Sequence, residues 1–320
     1  MSAHPIHGVL VAAITPRQKT GVAIDFGAAL DLVDFFESHG VDGITLLGST
    51  GEFLHFEPEE RSRLVTLVTK RSHVPVLVNV SHSTLDGSVR LGREAMDAGA
   101  AGVLVMPPYY FRYSQESVRA YCVDFAEQVK APVYLYNIPF FTTELQLATS
   151  LDLLSTGRFA GIKDSGGNWE HFVALQKVAP VFVGSDTMYS RTCRASLGSS
   201  SASAGSISGL ASAVPELMVA IDRRARAGED TAALDALLKD FCDRVLSFPL
   251  PVAIKEAAAI RGIPVGPHAT PLGPRGIPPS GRIPRLVSRV AAAPDGLTEG
   301  YSIRSPHSRR SSPAEYIRTQ

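Results

Sequence analysis

Net charge is absent from this chain of 320 residues: 31 Lys and Arg offset 31 Asp and Glu. That balance argues against nucleic acid or an anionic membrane as the main partner. Cysteine is scarce. Cys122, Cys193 and Cys242 lie far apart without paired spacing. They exclude a disulfide frame and a cysteine-based zinc site, and read as reduced core residues of a cytoplasmic protein. The nine histidines include no HxxxH pair, so the sequence offers no metal site. No apolar run approaches the ~18 residues of a membrane span, and the start lacks a basic stretch leading into an apolar one. Neither a span nor a signal peptide is expected. Also missing is a glycine-rich fingerprint after the first apolar run, Val9–Ile14, which weakens the case for an open doubly wound sheet.

What is present is regular alternation. Short apolar runs recur at Val9–Ile14, Gly43–Gly48, Pro75–Val80, Gly102–Met106, Pro132–Asn137, Phe159–Lys163, Val181–Ser185 and, less clearly, Ala202–Ile207. Most are β-branched and lack polar alternation, the pattern of strands buried on both faces. Between them lie segments with helical spacing, such as Phe26–Phe36 closed by Gly40, Leu85–Ala98 and Gln115–Val129. Eight such units predict a (β/α)8 TIM barrel over residues 1–228. Two further helical stretches, Thr231–Leu246 and Val252–Arg261, predict a small C-terminal helical region over 229–273. From 274 to 320 there are seven prolines, seven serines and eight arginines but no lysine. That composition predicts a mostly disordered basic tail, passive in function.

In such a barrel the chemistry gathers at the C-terminal ends of the strands. The sixth run, Phe159-Ala160-Gly161-Ile162-Lys163, ends in a lysine. Burial of an ammonium disfavours its charged form, and a neutral amine is a nucleophile that forms a Schiff base with a carbonyl compound. A strand-end lysine reaching solvent is the plainer alternative. At the end of the second run, Gly48-Ser49-Thr50-Gly51-Glu52 sets two hydroxyls between glycines, where hydroxyls and N–H groups can hold a carboxylate. Tyr136, ending the fifth run, is a candidate proton carrier if its hydroxyl lies near that amine, or else a core tyrosine. Tyr109 and Tyr110 follow the fourth run, Asp186 the seventh, and Ile207 lies in the eighth.

Together, Gly48–Glu52, Pro108-Tyr109-Tyr110, Tyr136-Asn137-Ile138-Pro139, Gly161-Ile162-Lys163, Gly184-Ser185-Asp186 and Pro271-Leu272 resemble the dihydrodipicolinate synthase / N-acetylneuraminate lyase superfamily over about residues 6–273. The resemblance implies a carbon–carbon lyase that needs no cofactor, because its imine with pyruvate or another 2-oxo acid forms on Lys163. Tyr136 would relay protons, with help from Thr50. Ser49 and Thr50, with Gly48, would hold the carboxylate, and Asp186, Ile207 and Phe141 complete the expected substrate-binding set. Tyr110 matches a tyrosine that reaches a neighbouring subunit's site, which implies a homodimer or homotetramer.

The departures bear on the second substrate, an aldehyde. Dihydrodipicolinate synthases usually carry an arginine where this chain has Phe141, and phenylalanine cannot bind a carboxylate bidentately. Sialate lyases usually have an acid where Thr187 stands. The run Lys163-Asp164-Ser165-Gly166-Gly167 is similar to hydroxy-oxoglutarate and 2-keto-3-deoxy-sugar-acid aldolases, the substrate type favoured here. Phe111, Phe140 and Phe141 nevertheless point to an acceptor pocket less polar than a sugar requires. The alternatives are 4-hydroxy-tetrahydrodipicolinate synthase or N-acetylneuraminate lyase within the family. More remote are a sugar-phosphate isomerase or epimerase using the Gly205–Gly209 loop, and a catalytically silent homologue.

Overall fold

The computed structural model describes residues 6–21, 23–197, 203–273, 276, 278 and 287–290. Eight parallel strands close into a barrel in chain order: β1 (Gly8–Ala12), β2 (Gly43–Leu46), β3 (Val76–Asn79), β4 (Gly102–Val105), β5 (Val133–Asn137), β6 (Gly161–Asp164), β7 (Val181–Val183) and β8 (Gly205–Ser208). Helices alternate with them: α1 (Phe26–Ser38), α2 (Pro58–Arg71), α3 (Leu85–Asp97), α4 (Gln115–Val129), α5 (Leu147–Ser155), α6 (Trp169–Leu175), α7 (Tyr189–Ala195) and α8 (Pro215–Arg226). The expected barrel is therefore the observed one. Its eighth strand begins at Gly205; residue 202, where the apolar pattern starts, lies outside the described residues. Helix α6 stops at Leu175, where Val178 and Ala179 turn back onto the Leu175 carbonyl ahead of Pro180.

Every strand residue is buried, which explains the continuous apolar runs. The barrel interior is filled by complementary sizes. A Cβ added to Gly43 would lie 2.9 Å from Leu10, and one added to Gly102 or Gly161 would lie 3.2 Å from the Tyr134 ring. Glycines on β2, β4 and β6 thus make room for Leu10, Leu77 and Tyr134 on β1, β3 and β5, and Tyr134 meets Phe182 edge-on at 5.9 Å. This plug closes the lower barrel, so polar groups two residues further along each strand can only reach the upper mouth.

Helix starts follow local chemistry. Asp25, Thr84, Ser114 and Asn168 each accept an N–H from the first turn of the helix they precede. Beyond the barrel, α9 (Ala232–Val245) and α10 (Val252–Ile260) form the expected helical extension. Ser190 of α7 donates to Asp235 of α9 at 2.8 Å, and Ile254 of α10 approaches the turn after β8.

Most of the expected tail lies outside the described residues. Residues 287–290 form a helical turn whose Val287 and Val290 are buried in the main core, with Arg289 paired to Asp240. Fully burying a valine stabilises by about 1.5–3 kcal/mol. Deleting residues 275–320 should therefore lower Tm by roughly 5 °C or more while leaving kcat unchanged. A thermal melt beside an activity assay checks both halves of that expectation.

Candidate active site

Lys163 rises from β6 with only 4% of its surface exposed. The parallel register pairs it with Tyr136 on one side and Phe182 on the other. Its ammonium Nζ lies 4.3 Å from the centre of the Tyr136 ring. The Tyr136 hydroxyl in turn shares a 3.1 Å hydrogen bond with Ser49 Oγ. Amine, phenol and serine thus form one continuous row across the mouth of the barrel. Gly184 permits the crowding: a Cβ there would sit 3.3 Å from Lys163 Cε and against Ser165 Oγ.

The ends of β5 and β6 are locked together beneath this row. Asn137 Nδ2 donates to Asp164 Oδ1 at 2.9 Å, the Gly166 N–H donates to the same oxygen, and Asn137 Oδ1 accepts the Leu145 N–H at 3.0 Å. Buried polar groups satisfied in this way hold their strands in one register.

The Gly48–Glu52 loop is fastened at three points. Thr15 Oγ1 donates to the Gly51 carbonyl at 2.8 Å, and the Glu52 N–H closes back on the Ser49 carbonyl at 3.1 Å. Glu52 itself is left-handed, with φ +53°, and its carboxylate accepts from Lys255 Nζ of α10 at 2.5 Å. Lys255 is fully buried; burial lowers its pKa below the usual lysine value while the Glu52 carboxylate opposes that shift. The sequence reading missed Lys255. Its one signal was a charge inside the otherwise apolar start of α10, Val252-Ala253-Ile254-Lys255.

The two loop hydroxyls differ in aim. Ser49 meets Tyr136, whereas buried Thr50 faces Gly209, where a Cβ would lie 2.9 Å from Thr50 Oγ1. Gly48 has open space where a side chain would be. Ile207 is buried in β8, paired with Leu10 on the barrel-lining side.

Asp186 follows β7. Burial pushes its carboxyl up to about 6, opposed by hydrogen bonds from the Ser208 hydroxyl and the Leu210 N–H and by the Lys163 charge; its Oδ1 has no partner. Between pH 3.8 and about 6 the folded state therefore binds more protons at this site than the unfolded state. Stability contributed here falls as pH rises through that window. Asp186→Asn should remove this slope. Urea titrations of both proteins from pH 4 to 7 should show the wild type losing ground to the variant as pH rises.

A cavity of about 410 Å³ opens beside Ser49. Its walls come from the loops after β2, β4 and β5 and from Leu250 between α9 and α10. Tyr110 and Phe141 lie at its rim, 88% and 57% exposed, and Tyr110 has a left-handed φ of +77°. Within one chain Tyr110 stands apart from the Lys163 row. Phe111 and Phe140 are exposed and do not line the cavity, so of the three phenylalanines only Phe141 lies on its wall. Phe53, Leu54, Met106 and Leu250 are wall residues the sequence reading did not find. Among the described residues no cluster of three or more His, Cys, Asp or Glu is placed to hold a metal, and no helix is long and apolar enough to cross a membrane.

Residues 5–276 match the model of the Dihydrodipicolinate synthetase family. A protein of Chloroflexus aurantiacus named an uncharacterized DapA-like lyase is 32% identical over 262 residues, 78% of this chain and 85% of that protein. A 4-hydroxy-tetrahydrodipicolinate synthase of Oceanobacillus iheyensis is 28% identical over 82% of this chain and 90% of its own length. Among solved structures, a prophage protein of the dihydrodipicolinic acid synthase family from E. coli K12, in complex with pyruvate, superposes with a TM-score of 0.79 at 26% identity, covering 90% of this chain and 99% of that one. Enzymes of this family work through a pyruvate-derived Schiff base on a lysine and need no cofactor. The chain belongs to the dihydrodipicolinate synthetase family, and is a carbon–carbon lyase of the class I aldolase type.

Proposed function

We propose that this enzyme joins pyruvate to an aldehyde, or cleaves the product, through an imine on Lys163. The observation that carries this reading is the row Lys163–Tyr136–Ser49, with the amine 4.3 Å from the phenol ring and the phenol hydrogen-bonded to serine. The neutral amine adds to C2 of pyruvate. Tyr136 protonates the departing oxygen, which leaves as water, and the imine remains. The Tyr136 oxygen, having given up its proton, takes one from C3, which gives an enamine. Its C3 bonds to the aldehyde carbon, whose oxygen takes the proton held at Tyr136, and water then hydrolyses the imine to free a 4-hydroxy-2-oxo acid. Ser49, Thr50 and the loop N–H groups hold the pyruvate carboxylate, with Gly48 leaving room for it; Ile207 and Asp186 border the same site.

Several curated relatives are named 4-hydroxy-tetrahydrodipicolinate synthase. Against that specific activity stands Phe141, an apolar residue where a guanidinium would bind the second substrate's carboxylate. The sugar-phosphate reading is weaker still. The Leu210 N–H and Ser208 hydroxyl after β8 are directed at Asp186, so a phosphate there would meet a carboxylate.

Assembly as a homodimer or homotetramer is part of the proposal. Its support is the aromatic surface of Tyr110, Phe111 and Phe140, which are 88%, 64% and 78% exposed on neighbouring loops. The three buried free cysteines suit the reducing cytoplasm. Intact mass after borohydride, with and without pyruvate, followed by peptide mapping, tests the imine. A pyruvate-dependent gain on the Lys163 peptide is expected; a gain on another lysine would overturn the assignment.

A further inference from the structure

We infer that the carbonyl partner of this enzyme is an uncharged aromatic aldehyde, an inference that rests on the imine reading above and specifies its second substrate. The cavity beside Ser49 is where the acceptor must enter, because Ser49 touches the Tyr136 hydroxyl that serves the new oxygen. Its apolar walls are Phe53, Leu54, Met106, Tyr109, Ile138 and Phe141. Phe53 and Tyr109 meet edge-to-face at 5.8 Å, the geometry in which aromatic rings pack favourably, and both line the cavity. A volume of about 410 Å³ holds a single substituted ring with room to turn.

Three of the polar wall side chains, Ser49, Glu52 and Thr142, are already engaged. The Glu52 carboxylate is neutralised by Lys255. Thr142 Oγ1 donates to the Ile138 carbonyl at 3.2 Å and also reaches the Thr143 carbonyl. Arg112, on the adjoining loop, gives Nη1 to the Thr142 carbonyl at 2.5 Å and is not a wall residue. Among the described residues no lysine or arginine lines the cavity. A carboxylate-bearing aldehyde would lie beside Glu52 without a cation, and a polyhydroxylated one would leave hydroxyls unpaired against phenylalanine, isoleucine and methionine. His55 and the hydroxyls of Tyr109 and Tyr110 remain, enough for an oxygen or two on a ring but few for a sugar chain.

The chemistry balances without an added reagent. The enamine carbon forms one bond to the aldehyde carbon, the aldehyde oxygen gains one proton, and the product is a 4-aryl-4-hydroxy-2-oxo acid.

The test uses the full-length protein in its native assembly, saturated with pyruvate. Benzaldehyde is compared with D-glyceraldehyde, glyoxylate and aspartate semialdehyde, and aldol product is followed by NMR. Borohydride trapping is run on the same samples. The expected result is kcat/KM for benzaldehyde at least about tenfold above each polar aldehyde, with Phe141→Arg reversing the order in favour of glyoxylate. Trapped pyruvate with equal or better use of a polar aldehyde would overturn the aromatic assignment and leave the imine intact. No trapped pyruvate would overturn both. If Phe141→Arg fails to fold, Met106→Gln repeats the arm by adding a polar group to the wall that follows β4.

Discussion

Lys163→Ala should yield no borohydride-trapped adduct with pyruvate and a kcat lower by a factor on the order of 10⁵. The amine is the bond-forming atom in the proposed route, and the described residues offer no second lysine along the Tyr136–Ser49 row. Lys255, the other buried lysine, is held 2.5 Å from Glu52 and is not free to attack. Removing the Lys163 side chain leaves a void between Tyr136, Phe182 and Gly184, so some loss of stability accompanies the loss of activity. Lys163→Met separates the two effects, since it refills the void without an amine. Both variants should be inactive, and the methionine variant should melt closer to wild type. An adduct in either protein would remove Lys163 from the nucleophile's position.

Tyr136→Phe should still trap pyruvate, but kcat should fall by about 10²–10⁴, the range for losing a positioned acid–base group. The ring against the Lys163 amine stays, so the nucleophile keeps its packing. What goes is the hydroxyl and its 3.1 Å bond to Ser49. Because the proposed seat of the pyruvate carboxylate is the loop and not the phenol, KM for pyruvate should move little. Slow release with easy trapping is the signature of proton transfer lost after binding. An unchanged kcat would remove Tyr136 from the relay.

The fold was legible because both faces of every strand are covered. That burial turns eight strands into continuous apolar runs, and a lone lysine at the end of one of them stands out. The register does the rest: Tyr136 and Lys163 close their runs on adjacent strands, and pairing places them side by side. Which of two neighbouring hydroxyls faces the phenol was not legible. Ser49 and Thr50 lie on one short loop, and their aims depend on Thr15, Gly209 and Lys255, contributed by three other parts of the chain. The acceptor walls were hidden for the same reason. Phe111, Phe140 and Phe141 look alike in sequence, yet only Phe141 turns inward, and Met106 and Leu250 join it from distant segments. Lys255 lies 203 residues from its partner, so no local pattern marks it as part of the site.

That separation has a consequence for the order in which the protein is made. A ribosome completes all eight strands, the lysine of β6 and the Ser49–Thr50 loop before it reaches Lys255. Until then Glu52 is a buried acid without its cation, a situation that costs about 3–5 kcal/mol against a whole-domain stability of about 5–15 kcal/mol. The nascent barrel thus carries an unseated loop until α10 emerges and docks. A premature stop between α8 and α10 would release a chain with every strand and Lys163 but with the Gly48–Glu52 loop lacking its tie to α10. The docking of α10 sets the moment at which Glu52 gains its cation.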